Sequence, residues 1–155
     1  MRKKPDVSLR ARALQYLARR EYSRPELRAK LSPHIPCDTE TGEAQPDVLD
    51  ALLEDFVSRG WLSDARAVTQ LIHAKRQRFG TLRIANELRQ RGISDELIDE
   101  ALPRLKETEQ EAVREVWLKK FGSLPQDNYE KAKQVRFLQS RGFSLKVILE
   151  LLQMA

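Results

Sequence analysis

The sequence predicts an all-α protein of three tandem three-helix repeats, which together form an elongated, curved molecule. Apolar residues recur at helical spacing along most of the 155 residues. Only 6 residues are glycine and 6% are aromatic, a composition that favours helices over β-sandwiches and barrels. One turn motif also occurs three times, and repeats of this size must stack to bury their apolar faces. A compact bundle of nine helices is the alternative interpretation.

The first repeat, residues 1–62, is predicted to contain three helices: Val7–Glu21, Ser23–Leu31 and Asp47–Arg59. The second of these begins with a capping box, in which the side chains of Ser23 and Glu26 each accept a hydrogen bond from the other's backbone N–H. Pro25 suits the first turn, where its missing N–H costs nothing. Gly60 is expected to end the third helix.

The second repeat is predicted to span residues 63–105. Ser63 and Asp64 are expected to cap its first helix, because a hydroxyl accepts backbone hydrogen bonds and an acid favours the positive end of the helix dipole. Gly92 is expected to end the second helix. Pro103 is expected to end or kink the third, because proline has no backbone N–H to donate.

The third repeat is predicted to span residues 106–155. Its first helix, Glu107–Lys120, is acidic at the start and basic at the end, as the helix dipole prefers. A second helix ends at Gly142, and a last one follows from Leu145. These helices bring the predicted total to nine.

The turn between the first and second helices of each repeat carries a cation, an aromatic residue and a hydroxyl residue expected to cap the next helix. The three copies are Arg19-Arg20-Glu21-Tyr22-Ser23, Gln77-Arg78-Phe79-Gly80-Thr81 and Lys119-Lys120-Phe121-Gly122-Ser123. The second and third repeats also share an Arg-Gly-apolar-Ser segment, at residues 91–94 and 141–144. This repetition supports a tandem array.

Neither catalytic nor metal chemistry is indicated. The chain has no phosphate-cradling glycine loop, no His-Glu-x-x-His and no Cys-x-x-Cys. His34 and Cys37 lie in a loop over Pro33–Pro46, but a zinc site needs further ligands and His73 is the remaining histidine. We therefore expect no enzyme activity, no metal and no cofactor, with Cys37 a free thiol.

A single cysteine fits a reducing compartment, since it cannot form an internal disulfide. The basic start of the chain lacks the apolar segment of a secretion signal. No apolar run approaches the roughly 20 residues that span a membrane. The sequence therefore predicts a cytoplasmic protein without membrane contact.

Charge is distributed in blocks, although the net charge is only +5. Residues 1–32 carry ten Lys or Arg and three Asp or Glu, whereas residues 33–65 carry one and eight. Residues 66–106 again favour cations, by nine to five. Two basic blocks on either side of an acidic one indicate a polyanionic ligand. The acidic block would meet a basic partner or dock within the chain.

The candidate binding residues are cations near the first two turns, where they suit phosphate groups or an acidic protein groove. They are Arg19, Arg20, Arg24, Arg28, Lys75, Arg76, Arg78, Arg83, Arg89 and Arg91. A solvated basic face that only aids solubility is the alternative interpretation. Trp61, Trp117 and Phe137 are candidates to stack on nucleic-acid bases, although Trp117 lies on an apolar stripe that favours core packing.

Four segments carry a resemblance to a known family. They are ALQYLARREYSRPELRAKL at residues 13–31, RGWLSDARAV at 59–68, RFGTLRIANELRQRGIS at 78–94 and VRFLQSRGFSLKVI at 135–148. Over nearly its full length the chain resembles RecX, the bacterial regulatory protein that modulates the RecA recombinase. Family members tend to have an aromatic residue where this chain has Ala67, a departure that concerns packing.

The resemblance implies a cytoplasmic, non-enzymatic protein of tandem three-helix repeats. Such proteins bind RecA filaments on single-stranded DNA and lie in the filament's helical groove. There they inhibit ATPase, strand-exchange and coprotease activity, and so restrain DNA recombination, DNA repair and the SOS response. We expect the protein to be a monomer.

Two hypotheses about the contacts follow. In the first, the basic residues face DNA or an acidic filament surface, while acidic residues 47–55 meet basic filament loops. In the second, the chain is a stand-alone, sequence-tolerant DNA- or RNA-binding protein, because the Ser23–Leu31 helix after a short turn resembles part of a helix-turn-helix. Affinity for free DNA separates the two hypotheses.

Overall fold

The computed structural model describes residues 7–35 and 46–154, and within them the chain forms helices and no strand. The prediction of an all-α fold is therefore confirmed. Most of the predicted loop, with Cys37, lies outside the described residues. A short 3₁₀ turn covers Ser32–His34. The α-helices are α1 Leu9–Arg19, α2 Arg24–Leu31, α3 Pro46–Ser58, α4 Asp64–Lys75, α5 Thr81–Gln90, α6 Asp95–Lys120, α7 Asn128–Ser140 and α8 Leu145–Met154.

The chain divides into two compact units, Met1–Ala67 and Val68–Ala155, referred to as unit 1 and unit 2. Unit 1 contains α1 to α3, and unit 2 contains α5 to α8. The helix α4 begins in unit 1 and continues into unit 2. The division into repeats at 62/63 and 105/106 stays a prediction.

Unit 1 is built on one apolar core, to which α1, α2 and α3 each contribute. Its buried residues are Ala13, Tyr22, Leu27, Leu31, Leu49, Leu53, Phe56 and Leu62. The predicted capping box of α2 is confirmed, since Ser23 Oγ accepts from Glu26 N at 3.1 Å and Glu26 Oε1 accepts from Ser23 N at 3.1 Å. Asp64 at the start of α4 accepts from Arg24 N at 2.7 Å, which satisfies a further donor of α2.

Unit 2 contains two apolar cores that share the long helix α6. The first half of α6 packs against α5 through Ile98, Ala101 and Leu105. Its second half packs against α7 and α8 through Val113 and Trp117 among others. The helix α6 therefore contributes buried residues to both cores.

The prediction that a helix ends at Pro103 is wrong, and with it the count of nine helices, whereas a kink at Pro103 stays a prediction. Eight α-helices occur in the described residues because α6 continues through Pro103 to Lys120. A proline inside a helix costs about 3 kcal/mol. Burial of Leu105 two residues later, and of the α6 side chains beyond it, offsets that cost, since each large apolar side chain contributes about 1.5–3 kcal/mol. Pro103 itself is exposed, so water can reach the carbonyl it leaves unpaired.

The prediction of hydroxyl caps holds for Ser23 and is wrong for Thr81 and Ser123. Thr81 is the first residue of α5, and that helix begins without a side-chain cap. The next helix after Ser123 is α7, which starts at Asn128 with Asp127 as its cap. The segment 124–127 separates Ser123 from α7, so the serine cannot reach the first turn of that helix.

Two glycines join the start of α5 to the turn between α7 and α8. Gly80 N donates to the carbonyl of Arg141 at 2.7 Å, and Leu82 N donates to that of Gly142 at 3.1 Å. A Cβ on Gly80 would lie 2.3 Å from Gly142 O, and one on Gly142 would lie 2.3 Å from Arg83 Cβ. Glycine at both positions is therefore what permits the two backbones to meet. We call this contact the glycine joint.

Candidate functional site

The predicted binding residues of unit 1 are mostly neutralised by carboxylates of the same unit. Arg24 pairs with Glu54 of α3 at 2.8 Å, and Arg28 pairs with Asp50 of α3 at 3.1 Å. Arg20 binds Glu26 of the capping box at 2.7 Å, and this hydrogen bond raises the pKa of the Arg20 guanidinium above its ordinary value. Arg19 lies exposed at the end of α1.

Within the described part of the acidic block, Asp50 and Glu54 therefore dock within the chain, which is one of the two outcomes that the charge pattern left open. Asp55 also takes part, since it binds Arg10 and Arg59, each at 3.0 Å. Hydrogen bonds from Arg10 and then from Arg59 lower the pKa of Asp55 below its ordinary value. Exposed ion pairs of this kind add little to stability, but they do compensate the charge.

In unit 2, the predicted binding residue Arg76 is largely buried and has an internal role. Its Nη2 lies 2.5 Å from Glu109 Oε2, and the two side chains are only 11% and 9% exposed. Thr81 donates to the same carboxylate from its backbone N–H at 3.1 Å and from its hydroxyl. Arg76 thus ties the end of α4 to the start of α5 and the middle of α6.

Two further predicted residues, both near the end of α5, differ in their surroundings. Arg91 binds Glu87 one turn earlier at 3.0 Å. Arg89 is exposed. The end of α5 is therefore partly neutralised.

The remaining predicted cations of unit 2 lie around one ring, that of Phe79, together with Arg141, which was not predicted. The guanidinium carbon of Arg83 lies 4.0 Å from the ring centroid, and those of Arg78 and Arg141 lie at 5.6 and 5.8 Å. Lys75 Nζ is 5.6 Å from the same centroid. We call these four cations the Phe79 cluster. None of them forms an ion pair with a residue that the structure describes.

The Phe79 cluster is held together by cation–π attraction, worth about 0.5–1 kcal/mol for each exposed pair. Like charges so close together repel one another, and no described carboxylate balances them. An anion from outside would relieve this repulsion. The cluster is therefore the most favourable place for an anionic ligand among the predicted residues.

An open groove of about 370 Å³ adjoins the Phe79 cluster. We call it the basic groove, and it is lined by Gln77, Arg78, Phe79, Val116, Lys119, Lys120, Phe137 and Arg141. Four of these residues are cations and none is acidic. Lys120 Nζ and the Arg141 guanidinium lie 5.3 and 5.0 Å from the centroid of the Phe137 ring, so two positive charges lie close to that ring.

The set of binding residues predicted from the sequence missed Lys119, Lys120 and Arg141. The signal that points to them is the internal repeat. Lys119 and Lys120 are the first two residues of the third copy of the turn, and Arg141 occupies the same place in its repeat as the predicted Arg91. The sequence does not show that Arg141 lies near Phe79, which belongs to another repeat. The glycine joint brings the two together.

The three aromatic candidates for base stacking have different surroundings. Trp117 is 5% exposed and donates its indole N–H to Gln134 Oε1 at 2.9 Å, which confirms the core-packing interpretation. Trp61 is 42% exposed and packs edge-on against Phe56, with ring centroids 5.4 Å apart. Phe137 alone of the three lines the basic groove.

Within the described ranges, the chain has neither a metal-ligand group nor a membrane-spanning helix. Residues 7–35 and 46–154 contain no group of three or more His, Cys, Asp or Glu arranged to hold a metal ion. His34 is exposed in the 3₁₀ turn. Over the same residues, no helix combines the length and the apolar content that crossing a membrane requires.

The chain is similar to proteins of one family along most of its length. Residues 63–102 match the model of the second three-helix domain of RecX, and residues 107–152 match that of the third. A regulatory protein RecX from Leptothrix cholodnii is 43% identical over 152 residues, which cover 98% of this chain and 92% of that protein. One from Ralstonia nicotianae is 40% identical over 147 residues, covering 95% and 87%.

A crystal structure of RecX from Lactobacillus salivarius has the same fold. It is 16% identical in sequence, with a TM-score of 0.73 over 94% of this chain and 93% of that one. Two domain models together cover more than half of the residues, and relatives above 30% identity span nearly the whole chain. This protein belongs to the RecX family of regulatory proteins.

Proposed function

We propose that this protein is a negative regulator of the RecA recombinase. It binds RecA–DNA filaments in the filament groove and inhibits their ATPase, strand-exchange and coprotease activities. It thereby restrains DNA recombination, DNA repair and the SOS response in the cytoplasm. It acts as a monomer, by binding and not by catalysis.

The observation that carries this proposal, beyond family membership, is the contrast in charge compensation between the two units. Cations of α2 already have carboxylate partners on α3. Those of the Phe79 cluster have no such partner among the described residues and surround a fixed ring. A nucleoprotein filament supplies phosphates and acidic side chains, so the Phe79 cluster is the natural contact.

The contact set proposed from the structure is therefore smaller than the sequence predicted. It keeps Lys75, Arg78, Arg83 and Arg89, which are not engaged by described carboxylates. Arg76 is left out because it is buried with Glu109. The unit 1 cations Arg19, Arg20, Arg24 and Arg28 and the paired Arg91 contribute less, because most of them would have to exchange a carboxylate for a phosphate.

The decisive experiment is a titration of RecA's ATPase on single-stranded DNA with this protein. Inhibition at a small fraction of the RecA concentration supports a regulator that acts on the filament. Inhibition only when the protein saturates the DNA indicates competition for the strand. Absence of inhibition at every ratio refutes the proposed function.

Two double variants locate the contact. Arg78→Ala/Arg83→Ala removes two cations from the Phe79 cluster, and Arg24→Ala/Arg28→Ala removes two from ion pairs in unit 1. Both change the net charge by the same amount. We expect the first to weaken inhibition at least tenfold, about 1.4 kcal/mol, and the second to change it little. Equal losses in the two variants would mean that net charge alone drives the interaction.

The alternative, a stand-alone DNA- or RNA-binding protein, is favoured by the basic groove. It predicts tight binding to free nucleic acid together with no inhibition of RecA at substoichiometric ratios. The ATPase titration, together with the affinity for free nucleic acid measured without RecA, therefore separates it from the regulator.

A further inference from the structure

We infer that the basic groove binds the sugar–phosphate backbone of single-stranded nucleic acid. The inference rests on the proposed function, in that it assigns the DNA-contacting part of the regulator to one surface of unit 2. It also brings in Lys119, Lys120 and Arg141, which lie outside the set predicted from the sequence.

The lining of the groove favours a phosphate-bearing chain. Arg78, Lys119, Lys120 and Arg141 supply four positive charges, and the other lining residues are uncharged. No described carboxylate pairs with any of these four side chains. Binding of phosphates would release counterions from the nucleic acid without first breaking an ion pair of the protein.

Two features fix the groove in shape before any ligand arrives. The glycine joint holds the backbone of Arg141 against the start of α5, with Gly80 N 2.7 Å from Arg141 O. The buried Arg76–Glu109 pair fixes the end of α4, which leads into Arg78 and Phe79. The cost of ordering these segments is therefore met on folding and not on binding, which favours affinity.

The apolar part of the lining favours a single strand over a duplex. Phe137 and Val116 lie among the cations, and Phe137 is only partly buried. A duplex keeps the faces of its bases stacked inside and exposes only base edges, phosphates and sugars. A single strand also presents the faces of its bases, which pack on aromatic and aliphatic side chains. Such packing tolerates any base, so we expect little sequence preference.

The test measures the binding of the full-length protein to a fluorescein-labelled oligothymidylate by anisotropy, without RecA, as salt is varied. Each phosphate neutralised on a single strand contributes about −0.7 to the log–log salt slope. Four contacts therefore predict a loss of affinity of about 50-fold between roughly 50 and 200 mM salt. The variant Lys119→Ala/Lys120→Ala leaves two contacts and should lose only about 7-fold over that range.

A matched control is Lys106→Ala/Lys146→Ala, which removes the same two charges from exposed positions of unit 2 that do not line the groove. We expect it to keep the wild-type slope. If both double variants flatten the slope equally, binding is a general charge effect and the groove is not the site. Preference for duplex of the same sequence, or a mononucleotide binding as tightly as the oligonucleotide, would also overturn the inference.

These outcomes are distinct from those of the proposed function. Loss of oligonucleotide binding in the groove variant, with no effect of the wild type on RecA's ATPase, would uphold the groove and refute the regulator. Full inhibition of the ATPase by the groove variant, with its salt slope unchanged, would uphold the regulator and refute the groove.

Discussion

Replacing Gly80 by alanine tests the glycine joint directly. Gly80 has φ near −80°, a backbone conformation that alanine adopts without strain. On conformation alone, alanine lowers the entropy of the unfolded state, which stabilises the fold by about 0.4–1 kcal/mol, and this gain is roughly offset by the poorer N-cap that alanine makes. A near-neutral effect would therefore be the ordinary expectation. The structure predicts a clear loss of stability instead.

The magnitude follows from the distances at the joint. The added Cβ would lie 2.3 Å from Gly142 O, 2.4 Å from its carbonyl carbon and 2.6 Å from Phe143 N, all of them backbone atoms. No side-chain rotation relieves such an overlap. The chain must either strain, at about 1–3 kcal/mol, or open the joint and lose two backbone hydrogen bonds, at about 0.5–1.5 kcal/mol each. We expect unit 2 to lose about 2–3 kcal/mol.

Urea unfolding followed by tryptophan fluorescence measures this loss. The chain has two tryptophans, so a Trp61→Phe background leaves Trp117, in the core of unit 2, as the reporter. The control is Gly122→Ala in the same background. Gly122 has φ +72° and its nearest neighbour would lie 3.4 Å from an added Cβ, so only the left-handed conformation is penalised, by about 1–2 kcal/mol.

Conformational reasoning alone ranks Gly122→Ala as the more damaging change, and the glycine joint reverses that order. Gly80→Ser adds a second check, because serine restores a good N-cap but still carries a Cβ. It should destabilise unit 2 nearly as much as alanine does. If Gly80→Ala is as stable as the parent protein, or more stable than Gly122→Ala, the joint does not exist in solution.

Two further predictions concern ion pairs. Glu109→Gln leaves Arg76 buried without its counter-charge, so urea unfolding of unit 2 should show a loss of about 3 kcal/mol, and a loss below about 1 kcal/mol would contradict burial of the pair. The lowered pKa of Asp55 contributes stability that is present above the unfolded-state pKa, near 3.9, and is lost as pH falls through the lower folded-state pKa. Asp55→Asn should therefore be less stable than wild type at pH 6 and low salt, and the urea midpoints of the two should converge as pH falls below the folded-state pKa of Asp55. A constant difference across this range would show that the carboxylate's charge is not involved.

Local signals in the sequence predicted most of the fold. The capping box at Ser23 and Glu26 depends on residues three apart, and helical spacing of apolar residues is likewise local. Pro103 shows where local reasoning fails. Its cost to a helix is a local property, whereas the gain from Leu105 and the rest of α6 depends on helices that come from elsewhere in the chain.

Composition predicted a basic surface but not which cations are available to a ligand. In the sequence, Arg24 and Arg76 look like any other surface cation. In the structure each binds a carboxylate, 30 residues away for Arg24 and 33 residues away for Arg76. A cation is available to a ligand only if no carboxylate lies beside it. Which carboxylates lie beside which cations is known only from the fold. The surface therefore had to be assigned from the structure.

The internal repeat explains why one arginine belongs to the groove and its equivalent does not. Arg91 and Arg141 both follow the second helix of a repeat and precede a glycine with positive φ. Four residues before Arg91 stands Glu87, which binds it at 3.0 Å. Four residues before Arg141 stands Phe137, and the guanidinium lies 5.0 Å from the centroid of that ring. An aromatic side chain holds the cation in place and leaves its charge uncompensated. A carboxylate holds the cation in place and also neutralises its charge. A single position in the repeat therefore decides whether its arginine stabilises a helix end or remains available to an anionic ligand.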